Sequence, residues 1–173
     1  MQFQFKIIPS SSIDLVVPLV MKMSNDSITE DLLLERFQEM VTQNYECVGV
    51  YYYDQLVGVS GLWYATRHYS GRSVELDHVF IEDIYRNKGL GTQLINWIQK
   101  YVKSKGCESI ELNAYIENKL SQKFYERDNY QRLGFIMLSR FNLSKISQSQ
   151  FQVRKVFCYF QTLLLLKVPI ILF

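Results

Sequence analysis

Apolar and polar positions follow two periods along this chain, and the switches between them mark its elements. Phe3, Phe5 and Ile7 alternate with Gln4 and Lys6, which predicts a strand over Phe3 to Ile8, ended by Pro9. Ser12 is a candidate N-cap for a helix running to about Met23, with Pro18 interrupting that run. Ser27-Ile28-Thr29-Glu30 has the form of a capping box, and behind it Leu33, Phe37, Met40 and Val41 share one face of a second helix. Cys47 to Tyr53 and Leu56 to Ala65 are β-rich runs split by Asp54-Gln55, a hairpin signal. Thr66 to Arg72 is polar and is expected to be loop, before an apolar strand from Val74 to Ile81. A glycine turn then leads into an amphipathic helix that faces Leu94, Trp97, Ile98 and Tyr101 inward. Lys100, Lys103 and Lys105 complement its C-terminal dipole, and Gly106 stops it. Glu108 to Ala114 alternates again, a helix follows from Asn118, and Leu133 to Leu143 reads as a last strand. The order β-α-α-β-β-β-α-β-α-β predicts an α+β domain with a mixed sheet.

The turn itself, Tyr85-Arg86-Asn87-Lys88-Gly89-Leu90-Gly91-Thr92, carries the first chemistry. A strand, a glycine turn with a basic rim and a helix N-terminus form an anion site, because the first helical N–H groups have no intrahelical partner. No glycine here is followed by Lys-Ser or Lys-Thr, which excludes the Walker A pattern. The dinucleotide fingerprint fails at its third glycine, where Leu94 stands. The pattern [RQ]-x-x-G-x-[GA] is met by Arg86, Gly89 and Gly91. It resembles the pyrophosphate loop of the GNAT acyltransferase superfamily. About two dozen residues on, Asn118-Lys119-Leu120-Ser121-Gln122-Lys123-Phe124-Tyr125-Glu126 resembles that superfamily's second motif, N-x-x-[AS]-x-x-[FL]-Y-E. Leu76-Asp77-His78-Val79-Phe80-Ile81 resembles the strand before the loop, and the resemblance covers roughly residues 3 to 143.

The resemblance implies a mostly antiparallel mixed sheet flanked by helices and splayed at its central strands. It implies an N-acetyltransferase that uses acetyl-CoA, without a metal, in a direct ternary-complex attack by a small-molecule or peptide amine. The pyrophosphate would sit on the amides of Gly89, Leu90, Gly91 and Thr92, beside Arg86, Asn87 and Lys88. Backbone groups of Val79 and Ile81 would pair with the pantetheine arm like an added strand, with Asn118 hydrogen-bonding the same arm. Tyr125 holds the position of the general acid for the departing thiolate, against the plain alternative of a helix tyrosine packed on the sheet. Tyr130-Gln131-Arg132-Leu133-Gly134-Phe135 resembles the motif's ending as well, so Tyr130 is the fallback. Asn129 then stands where glycine is usual. Asp77 matches a carboxylate that serves as base, directly or through water, in some members that acetylate polyamines. A strand carboxylate bonded to a neighbouring side chain is the equal alternative. Strict alternation puts Glu75 and Asp77 on one face and His78 on the other. A non-catalytic CoA-binding module on the same fold is the rival reading.

Composition narrows the rest. A net charge of +2 does not argue for nucleic-acid binding, and no basic stripe with interleaved aromatics appears. Cys47, Cys107 and Cys158 have no metal-ligand spacing and read as reduced thiols in a cytoplasmic protein. The opening MQFQFKIIPS shows no signal-peptide pattern. Asp26, Glu30 and Asp31 give the region before the second helix an acidic rim, and Arg67, His68 and Arg72 make a basic loop; neither identifies the acceptor. The domain is expected over residues 1–145, with residues 146–173 a separate apolar extension. Gln161, Lys167 and Pro169 interrupt that extension, and a lysine at mid-membrane costs roughly 2.5–3.5 kcal/mol. Docking on the domain or in a homodimer therefore ranks ahead of an unevolved tail, and membrane anchoring ranks last.

Overall fold

A computed structural model describes residues 2–24 and 27–134, and within them five strands lie in chain order across one sheet. Strands β1 (Phe3–Ile8), β2 (Tyr45–Tyr52), β3 (Gln55–Arg67) and β4 (Gly71–Ile81) pair antiparallel, and β5 (Ser109–Leu112) runs parallel to β4. Helices α1 (Val17–Met23) and α2 (Glu30–Met40) precede β2, α3 (Leu90–Ser104) links β4 to β5, and α4 (Lys119–Arg127) follows β5. This is the mixed, mostly antiparallel α+β architecture that the pattern predicts. From residue 135 on, the strand expected over Leu133 to Leu143 lies outside the described residues, as does the apolar extension with Cys158.

Apolar residues gather in two layers, assigned by alternation along the strands. Cys47 joins a layer with Val16, Val20, Leu33 and Phe37 of the first helical segments, while its neighbour Val48 joins one with Leu90, Leu94, Ile95, Ile98 and Val102 of α3. Two register shifts change the phase of that alternation, one between Val50 and Tyr51 of β2 and one between Val59 and Gly61 of β3. At the second, Val59 pairs with Phe80 and Gly61 with Asp77, so His78 and Val79 together oppose Ser60. That is a β-bulge on β4, and it sits beside the candidate site.

Several boundaries differ from expectation for identifiable reasons. Ser12 does not cap a helix: its N–H donates to the Pro9 carbonyl within a 3₁₀ segment, Ser10–Val16. Pro18 begins α1 instead of breaking a longer helix, since a missing N–H costs nothing in the first turn. Helix α2 starts at Glu30 behind Thr29, whose side chain makes no capping bond, so the helix begins later than a capping box headed by Ser27 would start it. The hairpin turn falls on Tyr53-Asp54, with Tyr52 paired to Gln55. The segment expected as loop over Thr66 to Arg72 is mostly ladder, with Thr66 opposite Arg72 and Arg67 opposite Gly71. Its polarity comes from an ion-pair group: Arg67 bonds Glu75 at 3.0 Å, and lies 3.6 Å from Glu111 of β5. Within α3, Leu94 and Ile98 are fully buried, whereas Trp97 and Tyr101 stack on each other at its edge with ring centroids 5.1 Å apart.

Candidate active site

The sheet opens where β4 meets the glycine turn. Pairing of β4 with β5 extends from Ser73–Ser109 to Leu76–Leu112 and no further, while β4 continues to Ile81. Backbone groups around Val79 therefore have no β5 partner, which is the splay expected for an inserted ligand arm. Beyond β4, Gly89 is left-handed at φ 76° and starts α3 with no side-chain cap. The Gln93 N–H bonds the Gly89 carbonyl, so the N–H groups of Leu90, Gly91 and Thr92 precede the helical ladder and are the free donors of an anion site. A Cβ on Gly89 would meet nothing within 4 Å, so the turn is open at that position. Gly91 serves a different purpose: a Cβ there would come within 3.2 Å of the Phe124 ring of α4.

The cations of the turn are tied to the protein's own groups. Arg86 Nε donates to the Ile81 carbonyl at 2.7 Å, and its guanidinium pairs with Asp83 at 2.7 Å and lies over the Phe80 ring. Lys88 Nζ donates to the Ile84 carbonyl at 2.7 Å. Both brace the turn, and Asn87 supports its curvature with φ 58°. Asn118 is likewise engaged, as the N-cap of α4: its Oδ1 accepts from the Ser121 N–H at 3.0 Å.

Helix α4 ends in a left-handed C-cap. The Asn129 N–H bonds the Glu126 carbonyl, the Tyr130 N–H bonds the Tyr125 carbonyl, and Asn129 sits at φ 66°. This is the conformation for which asparagine replaces glycine at least cost. It folds the Tyr130 ring against Tyr125, with centroids 5.5 Å apart. Both tyrosines pack on the apolar layer that holds Val79, Ile81 and Leu90, so the second motif is brought to the glycine turn. Burial, with a smaller contribution from Tyr130, pushes the Tyr125 hydroxyl up to about 12. At neutral pH it therefore keeps its proton and is a donor. The Tyr130 hydroxyl is buried and without a hydrogen bond among the described residues.

Asp77 lies on the other side of β4. Its carboxylate is half-exposed and accepts two hydrogen bonds, from the His78 N–H at 2.8 Å and from the Trp63 indole at 3.3 Å, and the His78 ring Nδ1 lies 3.3 Å from it. Burial raises this carboxyl, but the His78 ring, the Trp63 indole and the His78 amide together outweigh it and hold Asp77 below the usual aspartate range. Glu75, the other strand carboxylate, is bound by Arg67 and Asn113.

Alternation had placed Asp77 and His78 on opposite faces, and the bulge overturns that. With φ 36°, His78 turns its ring back beside Asp77 and edge-on to Phe37 of α2, whose centroid is 5.3 Å away. Its Nε2 is 3.0 Å from the Tyr45 hydroxyl of β2. Tyr45, Trp63 and Gly61 thus belong to this side of the site, and none was singled out from the sequence. Each comes from a different strand position set by register, and register leaves no local motif. Among the described residues no group of three or more metal-ligating side chains occurs, and no helix is long and apolar enough to cross a membrane.

Comparisons with known proteins agree with this geometry. A family model described as the acetyltransferase (GNAT) family matches residues 18–135. A spermine/spermidine N(1)-acetyltransferase of Bacillus subtilis (strain 168) is 35% identical over 95 residues, covering 52% of this chain and 62% of that protein. A solved ribosomal-protein-alanine N-acetyltransferase from Brucella melitensis biovar Abortus 2308 superposes with a TM-score of 0.69 at 17% identity, over 82% of this chain and 100% of that one. An aminoglycoside N-acetyltransferase solved in complex with CoA gives 0.70 at 17% identity, over 80% of this chain and 94% of its own. At that identity the two structures speak to the fold alone. The matches span 25% to 62% of the length of curated relatives such as these.

Proposed function

The chain belongs to the acetyltransferase (GNAT) family, and from that premise we propose that it moves the acetyl group of acetyl-CoA to a primary amine by direct attack in a ternary complex. The observation that carries this reading is the uncapped start of α3 at Gly89, set directly after a strand edge that β5 leaves unpaired. Three free amides suit a pyrophosphate, and the bare edge near Val79 suits an amide-bearing arm that pairs as a strand would. Arg86 and Lys88 act chiefly by holding the turn in shape, since their donors already bond the Ile81 and Ile84 carbonyls. Asn118 shapes the start of α4 on the far side of the groove.

Tyr125 assists the leaving thiolate by hydrogen bonding. A thiol titrates near 8.5, so full transfer from a hydroxyl near 12 is uphill by about 5 kcal/mol. A donated hydrogen bond to the developing negative charge stabilises departure without that transfer. Amides of β4 near Val79 are placed to receive the oxyanion of the attacked carbonyl.

On the acceptor side, Asp77 meets the amine as an anion. An alkylammonium titrates about 6 units above an ordinary aspartate, so the carboxylate cannot retain the amine's proton. Asp77 binds the ammonium, and the ammonium's proton is relayed through water to bulk solvent, so the amine attacks from its neutral fraction. A half-exposed carboxylate held in its ionised form favours a cationic acceptor, and the relative named for spermine and spermidine points the same way.

The test is to incubate the full chain with acetyl-CoA and a panel of polyamines, lysine peptides, aminoglycosides and amino acids, and to follow free CoA thiol. Amine-dependent release is expected, strongest with polycations. Tight acetyl-CoA binding with no release from any amine would replace the enzyme with a CoA-binding module.

A further inference from the structure

Between Asp77 and the covered layer under α2 lies a chain of polar contacts that the reaction just described does not require. Its centre is His78, whose side chain is only 5% exposed. Nδ1 faces the Asp77 Oδ2 at 3.3 Å, and Nε2 faces the Tyr45 hydroxyl at 3.0 Å. With a hydrogen on Nδ1, facing the carboxylate, Nε2 is left to accept from Tyr45. Burial pushes the Tyr45 hydroxyl far up, so that residue remains a donor.

The niche is built for this ring at some cost. A non-glycine residue at φ 36° is strained. Across the ladder only glycine leaves room, since a Cβ on Gly61 would lie 2.3 Å from the His78 Cε1. Phe37 meets the ring edge-on, and Tyr45 also packs on Trp63, the second side-chain donor to Asp77. Strain, a glycine-sized recess, the hydrogen bond with Tyr45 and the close approach to Asp77 converge on one orientation of one imidazole.

We infer that His78 is a positioning residue: its buried ring, tethered by Tyr45, fixes the Asp77 carboxylate in the orientation that receives a cationic acceptor. This rests on the amine-acceptor reading above, and it adds a device to that reading. Asp77 alone would be a strand carboxylate free to rotate and to bond water. With its Oδ1 on the His78 amide and its Oδ2 on the His78 ring and Trp63, one rotamer is enforced and the remaining lone pairs face outward. The groups facing the pair are Tyr45 and Cys47 of β2, Trp63 and Gly61 of β3 and Phe37 of α2. Cys47 carries a thiol pushed up to about 12 by burial.

The experiment compares the full-length wild type with His78→Asn and Tyr45→Phe. Asparagine tolerates the left-handed backbone, so the bulge survives while the ring is lost. Two readouts are taken: the Asp77 carboxyl titration by carbon NMR, and kcat and KM for the best amine across pH. In His78→Asn the Asp77 midpoint rises, the acid limb of kcat/KM moves to higher pH, and KM for the amine rises about tenfold with kcat changed less. Tyr45→Phe shifts all three the same way by a smaller amount. An unmoved Asp77 midpoint in folded His78→Asn overturns the inference; if that variant does not fold, an unmoved midpoint in Tyr45→Phe overturns it. A raised midpoint in an enzyme that acetylates no amine would sink the proposed function and leave the positioning role standing.

Discussion

On one side of β4 the proposed site offers backbone to a ligand, and on the other it offers side chains. The donor side consists of the amides after Gly89 and the unpaired edge near Val79, with Arg86 and Lys88 bracing the turn from behind. The acceptor side consists of Asp77, His78, Tyr45 and Trp63, drawn from three strands and joined only by register and a bulge. The first kind of site is broken by adding atoms, because its donors cannot be mutated away. The second is broken by removing atoms, one hydrogen bond at a time. Substitutions on the two sides should therefore differ in both size and kinetic character.

The largest effect is expected at Gly89. Gly89→Glu places a side chain on the open turn, strains a φ of 76° and repels phosphate. Losing even one charge-assisted bond is worth about 1.5–3 kcal/mol, so acetyl-CoA affinity by calorimetry should fall at least roughly tenfold and in practice beyond detection. Next is Tyr125→Phe, which removes the donor to sulfur and leaves the packing. Turnover should drop about 10²–10⁴-fold with acetyl-CoA affinity within about twofold of wild type. Unchanged turnover would pass the role to Tyr130 or to water. Asp77→Asn keeps the shape and deletes the charge. The expected result is a rise of roughly tenfold or more in KM for a cationic amine and a smaller change in kcat. A loss confined to kcat would show that the carboxylate takes the proton itself.

The smallest effect lies away from both sides, at Glu46. This residue accepts from the Tyr64 hydroxyl at 2.8 Å and the Tyr101 hydroxyl at 3.0 Å and pairs with Lys105, fastening β2 to β3 and α3. Burial raises its carboxyl, but the bonds from Lys105, Tyr64 and Tyr101 prevail and hold it below the ordinary glutamate range. A lowered folded value means that stability from this group is fully present above the unfolded value, near 4.3. It is lost as pH falls through the folded value. Glu46→Gln should cost about 1 kcal/mol in urea at neutral pH, the low end for a charged hydrogen bond because Lys105 is 35% exposed. It should also flatten the acid side of the stability profile, while acetyl-CoA binding is untouched.

The same contrast explains what could be seen in the chain before its structure. Gly89, Gly91 and the Asn118-to-Tyr125 spacing are local, and a backbone-made site needs residues close in sequence, so the candidate donor side could be named from the sequence. The placement of Asn129 at a helix C-cap was legible too, because its left-handed backbone is a local demand. On the candidate acceptor side only Asp77 was named; Tyr45, Trp63 and Gly61 were not. Alternation is a sound guide only while a strand stays in phase, and the extra residue at His78 and Val79 reversed the inference about which face His78 occupies. The polar run over Thr66 to Arg72 misled in a related way, since Arg67 pairs with Glu75 and Glu111 across strands that are not adjacent in sequence. Pro18 and Ser12 show that a helix start depends on which turn the chain is in, and composition does not record that.

Acetyl-CoA binding and amine-dependent release of CoA thiol, measured side by side in wild type and Tyr125→Phe, test the central claim most directly. The account predicts that both proteins bind alike, that wild type releases thiol only when an amine is present, and that the variant releases it at least about a hundredfold more slowly. Release that ignores the amine, or a Tyr125→Phe variant that turns over at the wild-type rate, would contradict it.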